Sequence, residues 1–190
     1  MKAVAFNGSP RKDGNTHIMI KHVFNVLEAE GIDCEEINVG GQVVRGCIAC
    51  RKCSTNTGRC AIKEDRVNEW IDKMKDADAI IMASPTYFAN VTPEIKALID
   101  RSGVVNRNGG NYLARKVGAP IAVARRGGAI QVYNALMAFF GISEMIVPMS
   151  NYWNMGYGLG IGDVNSDIEA LKTMKTLGAN IAYVLKALHK

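Results

Sequence analysis

Short apolar runs alternate with amphipathic stretches along the whole chain, and this alternation is what most limits how it can fold. Residues 3–6 read as a strand, and residues 15–30 as a helix ended by Gly31. Residues 32–39 form a second strand and residues 65–75 a second helix. Residues 79–83 are a wholly apolar third strand, followed by a helix from Thr92 to about Arg101. Residues 120–124, 129–140 and 145–148 continue as strand, helix and strand, and residues 166–188 as a long final helix. Strands that read as unbroken apolar runs are buried on both faces. Their alternation with helices builds right-handed βαβ units and a parallel sheet. The pattern predicts an α/β fold with three layers: a five-stranded parallel sheet, order 2-1-3-4-5, between helices. Ligands of such a sheet bind beyond the carboxyl ends of its strands.

With 190 residues, one domain spanning 1–190 is expected. The net charge is +5, but the lysines and arginines are spread along the chain, so a solvated surface is expected rather than a nucleic-acid face. No apolar run reaches the length of a membrane span. The chain opens Met-Lys and passes directly into a strand, with no signal peptide in view. A cytoplasmic location is the expectation. Clustered cysteines in that compartment mean metal or redox chemistry more often than disulfides.

Two segments break the alternation. Residues 40–64 form a long loop with a cysteine-rich insertion at about 44–64, and residues 149–165 are rich in Gly, Asn and aromatics. Loops this long inside a compact domain are usually functional. Glycines at alternating positions in 151–163 argue against a strand there and for a flap or a subunit contact. Tyr152 and Trp153 either cover a bound ring or plug the space against the final helix. His17, His22 and His189 are isolated and read as surface or helix residues.

The first strand runs into Asn7-Gly-Ser-Pro-Arg-Lys-Asp-Gly-Asn-Thr16, and a helix begins. A strand, a Gly- and hydroxyl-rich turn and a helix N-terminus make an anion site, because free N–H groups and the helix dipole point at one spot. Ser9, Asn15 and Thr16 can add donors, and Arg11 can pair with a phosphate through two hydrogen bonds. The turn is neither a Walker A sequence nor G-x-G-x-x-G, which favours a phosphate monoester over a triphosphate or dinucleotide. Gly8-Ser9-Pro10-Arg11 followed by Gly14-Asn15-Thr16 resembles the FMN-phosphate loop of the NADPH-dependent FMN reductases, a group of flavodoxin-like proteins.

The third strand ends in Ser84-Pro85-Thr86-Tyr87-Phe88-Ala89-Asn90, before a helix with Thr92 as N-cap and Pro93 in its first turn. The aromatics can offer a face and an edge to a planar ring, and Asn90 can bond its polar edge. Pro85-Thr86-Tyr87 resembles the Pro-Thr/Ile-Tyr stretch by which the same family contacts the isoalloxazine. The fourth strand ends in Arg125-Arg126-Gly127-Gly128. By that resemblance it is the third flavin-side loop, where Arg125 or Arg126 would stabilise negative charge on the reduced ring.

Cys47, Cys50, Cys53 and Cys60 form a C-x2-C-x2-C-x6-C run. The spacing admits a [4Fe–4S] cluster, a zinc ion, or free and redox-active thiols. Cys34, in the second strand, reads as a small buried hydrophobe. The run resembles the compact cysteine motif of the iron–sulfur flavoproteins, which hold a [4Fe–4S] cluster beside FMN. What the resemblance implies is an FMN-containing oxidoreductase in which the cofactor, and no protein acid, base or nucleophile, carries the chemistry. Without a cluster, hydride would pass from NAD(P)H to the flavin and on to a small acceptor. With one, single electrons would arrive from a ferredoxin-type donor. A non-enzymatic FMN electron carrier or redox sensor is the alternative class. The resemblance also implies a homodimer or homotetramer.

Overall fold

A computed structural model describes residues 1–56 and 58–189. Five parallel strands lie in the order β2-β1-β3-β4-β5: β1 (Lys2–Asn7), β2 (Asp33–Asn38), β3 (Ala79–Pro85), β4 (Val117–Ala124) and β5 (Met155–Tyr157). The helices are α1 (Asn15–Ala29), α2 (Val67–Asp76), α3 (Pro93–Asn108), α4 (Ala129–Ile142) and α5 (Ile168–Leu188). The expected order and the flavodoxin-like architecture are both present.

The pleat of the sheet divides the core in two. Val4, Phe6, Ile80 and Met82 face α2, α3 and α4, where Trp70, Ile71, Leu98 and Phe140 pack on them. Ala3, Ala5, Ile81 and Ala83 face α1 and α5, against Met19, Val23, Leu177 and Ile181. Successive strand residues point to opposite faces, so a strand buried on both sides has no polar position to spare. In register, Asn7 stands opposite Asn38 on one side and Ala83 on the other, which brings the ends of β2, β1 and β3 to one edge.

Two expectations need correction. The last strand is not residues 145–148. That stretch keeps one bridge, Val117 to Ile146, and the chain then leaves the sheet, returning at Met155. Pro120 explains the gap. Gly118 N–H donates to Ile146 O and Ala122 N–H to Asn154 O, and Pro120, midway between, has no N–H to offer. The strand lies instead in the glycine-rich segment, because a Cβ on Gly156 would sit 2.5 Å from Met19 Sδ and 3.0 Å from Val164 Cγ2. The composition that argued against a strand is what lets this one pack. The second correction concerns α3, which runs on through Gly103 to Asn108. Burial of Arg101, Ser102, Val105 and Asn106 holds the extension against the roughly 1 kcal/mol cost of a helical glycine.

Candidate functional site

The carboxyl end of the sheet holds a shallow cleft of about 150 Å3, lined by Ser9, Arg11, Asn15, Thr16, Pro85, Thr86, Tyr87 and Arg125, with Gly158 and Leu159. Eight residues from three separate sequence motifs thus meet in one place. Phe88, Asn90, Arg126, Gly127 and Gly128 do not line it. They stand beside it: Gly128, at φ +87°, packs within 3.1 Å of Thr86 Cγ2 and 3.2 Å of Ala89 Cα.

The turn between β1 and α1 is shaped by buried polar groups. Asn7 Oδ1 accepts from Ser9 N–H at 2.8 Å, and Asn7 Nδ2 donates to Glu36 Oε1 at 2.7 Å. Glu36 Oε2 meets His17 Nδ1 at 2.8 Å, so His17 has a carboxylate partner that its sequence neighbours do not reveal. Asn38, with its amide turned to donate, reaches Ser9 O at 2.8 Å. Gly40 closes the arrangement, since a Cβ there would lie 2.3 Å from Ser9 C and 2.4 Å from Gly8 O. Helix α1 then begins on Gly14, with no side-chain cap and no acidic residue in its first turn. An uncapped helix N-terminus facing a cleft has free donors for an anion.

Asn15 is not a cap. Its Nδ2 donates to Gly160 O at 2.8 Å, and its Oδ1 accepts from Gly162 N–H at 3.0 Å and Val164 N–H at 3.3 Å. Arg11 Nη1 likewise donates to Leu159 O at 2.8 Å. The glycine-rich segment is therefore latched onto the anion turn, while Tyr152 and Trp153 pack against each other with their rings tilted by 59° and stay half exposed.

The second wall of the cleft is a tight turn. Tyr87 and Asn90 exchange backbone hydrogen bonds of 2.9 and 3.0 Å, with Phe88 at φ +47° and Ala89 at φ +60° between them. Non-glycine residues in the left-handed region are uncommon and cost about 1–3 kcal/mol each. Phe88 is fully exposed at the tip. Thr92 occupies the N-cap position of α3 without a side-chain capping bond, and its buried Oγ1 has no partner among the described residues, as is also true of Thr86 Oγ1 at the cleft.

The four clustered cysteines line a separate cavity of about 370 Å3, together with Ala61, Ile62, Arg101, Val104, Val105 and Asn108. Cys53 is buried and held on the 3-10 turn Lys52–Ser54, Cys60 is half-buried, and Cys47 and Cys50 are exposed. Ala49 and Arg51, on either side of Cys50, sit at φ +51° and +58°. Among the described residues, no three cysteine, histidine or carboxylate side chains converge on a single point that would hold one metal ion. Cys34 lies elsewhere, on β2, where burial pushes its thiol up to about 12. That suits an inert small side chain.

Cys60 is the most firmly placed of the four. Its N–H donates to Asn68 Oδ1 at 2.8 Å and its carbonyl accepts from Asn68 Nδ2 at 3.0 Å. On the other side Arg101 Nε donates to its Sγ at 3.3 Å. Arg101 is wholly buried and also bonds Asp65, Arg45 O at 3.0 Å and Ile62 O at 3.2 Å. Burial opposes ionisation of Asp65, but the guanidinium and two backbone N–H donors outweigh it and hold the carboxyl below its ordinary value. Sequence reading missed Arg101. The available signal was a cation three residues after Leu98 and four before Val105, on the apolar stripe of α3.

A model of the family described as NADPH-dependent FMN reductase matches residues 1–160. An iron–sulfur flavoprotein of Methanocaldococcus jannaschii is 37% identical over 197 residues, covering 100% of both chains. The chain belongs to the NADPH-dependent FMN reductase family, in its iron–sulfur flavoprotein branch. An iron–sulfur flavoprotein of Methanosarcina thermophila is 31% identical over 193 residues, covering 100% of this chain and 98% of its own. The crystal structure of RosB with bound 8-demethyl-8-formylriboflavin-5'-phosphate has a TM-score of 0.78 at 21% identity, covering 100% of this chain and 80% of that one. A flavodoxin from the domain Archaea has a TM-score of 0.63 at 19% identity, over 98% of this chain and 99% of its own. These two likenesses are likenesses of fold.

The cleft fits the cofactor for which the family is named. An uncapped helix start, Ser9 and Arg11 suit a terminal phosphate, and the unpaired Thr86 Oγ1 is a buried polar atom waiting for a partner. The cysteine cavity fits a sulfur-ligated group, with four thiols, apolar walls and a buried cation at one of them.

Proposed function

We propose that this chain is an FMN-dependent oxidoreductase whose Cys47, Cys50, Cys53 and Cys60 hold a [4Fe–4S] cluster. The observation that carries the reading is that all four cysteines line one cavity. A mononuclear zinc would draw its four ligands to about 2.0–2.3 Å of a single point, whereas sulfurs spread around a cavity suit a larger centre. When bound, the cluster supplies one-electron chemistry, and FMN both one- and two-electron chemistry.

The protein's part is binding and electrostatics. The anion turn and α1 hold the phosphate, Thr86 and Tyr87 wall the ring, and Arg125 offsets charge on the reduced flavin. The donor is a ferredoxin-type protein and the acceptor a small molecule. The assembly is a homodimer or homotetramer, for which the half-exposed Tyr152, Trp153, Leu159 and Ile161 give support. A second reading, a cluster-free reductase fed by NAD(P)H, draws on the exposure of Cys47 and Cys50.

Anaerobically purified protein, matured with a competent cluster-assembly system, tests the proposal through its visible spectrum and its iron and acid-labile sulfide content. FMN with about four iron and four sulfide per chain is expected. FMN without iron overturns the cluster and leaves the second reading, which steady-state NAD(P)H oxidation then tests. A non-enzymatic carrier would show no NAD(P)H oxidation unless a separate reductase were added.

A further inference from the structure

Arg101 is the one wholly buried cation seen among the described residues, and it is spent entirely on the cysteine loop. Its guanidinium binds the loop before the first cysteine, at Arg45 O, and after the last, at Ile62 O. It is neutralised by Asp65, whose side chain is also buried. A further N–H, on Nε, points at Cys60 Sγ. A buried cation needs a carboxylate partner to exist at all, but it does not need a sulfur. Arginine's rigid fork spreads fixed donors over all four partners, whereas lysine's three donors sit on one nitrogen and cannot span them.

We infer that Arg101 is a positioning residue that fixes Cys60 as the anchored ligand of the cysteine centre and raises that centre's reduction potential through its Nε–H to Sγ hydrogen bond. The inference rests on the cluster reading given above. Reduction adds negative charge that spreads onto the ligating sulfurs, and a charge-assisted donor to one of them stabilises the reduced form. A contrast lies on the same helix. Asn108 Nδ2 approaches Cys53 Sγ at 3.8 Å, as a neutral and longer contact that is shared with Val104 O. Its influence on the potential is correspondingly smaller.

The test is the midpoint potential of the cluster, read by low-temperature EPR during a redox titration of the holoprotein. It compares wild type, Arg101→Lys, Asn108→Ala, and the double variant Arg101→Gln with Asp65→Asn, which keeps a buried hydrogen-bonding pair without charge. Wild-type iron content is measured first, so absence of a cluster tells against the cluster reading and not against this one. Both Arg101 variants are expected to titrate at more negative potential than wild type, with Asn108→Ala between them and wild type. Loss of iron from both Arg101 variants, with FMN content and circular dichroism unchanged, also supports the inference, because the defect is then confined to the cysteine site. Wild-type potential in either loaded Arg101 variant overturns it. So does joint loss of iron, FMN and fold, which would make Arg101 a general stability residue.

Discussion

The flavin-side cleft and the cysteine cavity are built in opposite ways. The cleft is made where strands β1, β3 and β4 stop, so the sheet itself sets the positions of its turns. Its polar groups are mostly backbone and short side chains close in sequence to those strand ends. The cavity lies outside the sheet, between a long loop and α3, and side chains from distant points hold it: Asn68 from α2, and Arg101 from α3 with Asp65. The lesson is that a fold can place one site for any compatible sequence, while the other exists only through particular tethers.

If the two regions are this independent, each should be removable without the other. The largest effect expected is from Cys53→Ala, at the least exposed of the four thiols. Iron and acid-labile sulfide should be lost completely while bound FMN stays near one per chain, read from the flavin absorbance and metal analysis. Loss of FMN together with iron would show that the cavity supports the cleft, and the comparison would fail. The converse is Gly40→Ala. Its Cβ would strike the backbone of Gly8 and Ser9, which cannot yield as a flexible side chain would. Overpacking costs about 1–3 kcal/mol, or about 5- to 150-fold in FMN dissociation constant, if the strain falls on the anion turn. Fluorescence titration of apoprotein with FMN measures it, with iron content unchanged.

The same contrast governs what could be read from the residues alone. Continuous apolar runs place β1, β3 and β4, because those strands are buried on both faces, and period-3.6 patterns place the helices apart from the C-terminal half of α3. The turns after those strands, with Ser9, Arg11, Pro85, Thr86, Tyr87 and Arg125, follow directly. Two kinds of feature escaped. The fifth strand was misplaced because its pairing depends on a missing N–H at Pro120 and on the space around Gly156, both set by neighbours far away in sequence. Asn7, Glu36 and His17 form a linked set only because β2 lies beside β1 in register. Arg101 belongs to the same kind: nothing in its local sequence names Cys60, Arg45 and Asp65 as its partners.

Helix α3 offers the finest version of the comparison, since it carries two ion pairs in different surroundings. Arg101 with Asp65 is buried, whereas Lys96 with Asp100 is about half exposed. Asp65 is held below its ordinary value of 3.8, so its unfolded form binds protons more readily than its folded form. Its stabilising contribution is complete above that ordinary value and is lost as pH falls through the lower folded value. The thermal midpoint should therefore drop as pH is lowered below about 4, and the drop should be shallower in the double variant Arg101→Gln with Asp65→Asn. Asp100→Asn should do far less. An exposed i,i+4 pair contributes about 0.3–0.5 kcal/mol and is screened by salt. For a chain of this size that corresponds to about 1–2 °C in midpoint, shrinking further at high ionic strength. A change from Asp100→Asn as large as the acid-induced loss at Asp65 would mean that burial is not what separates the two pairs, and that the cysteine loop is held by the whole face of α3 rather than by one arginine.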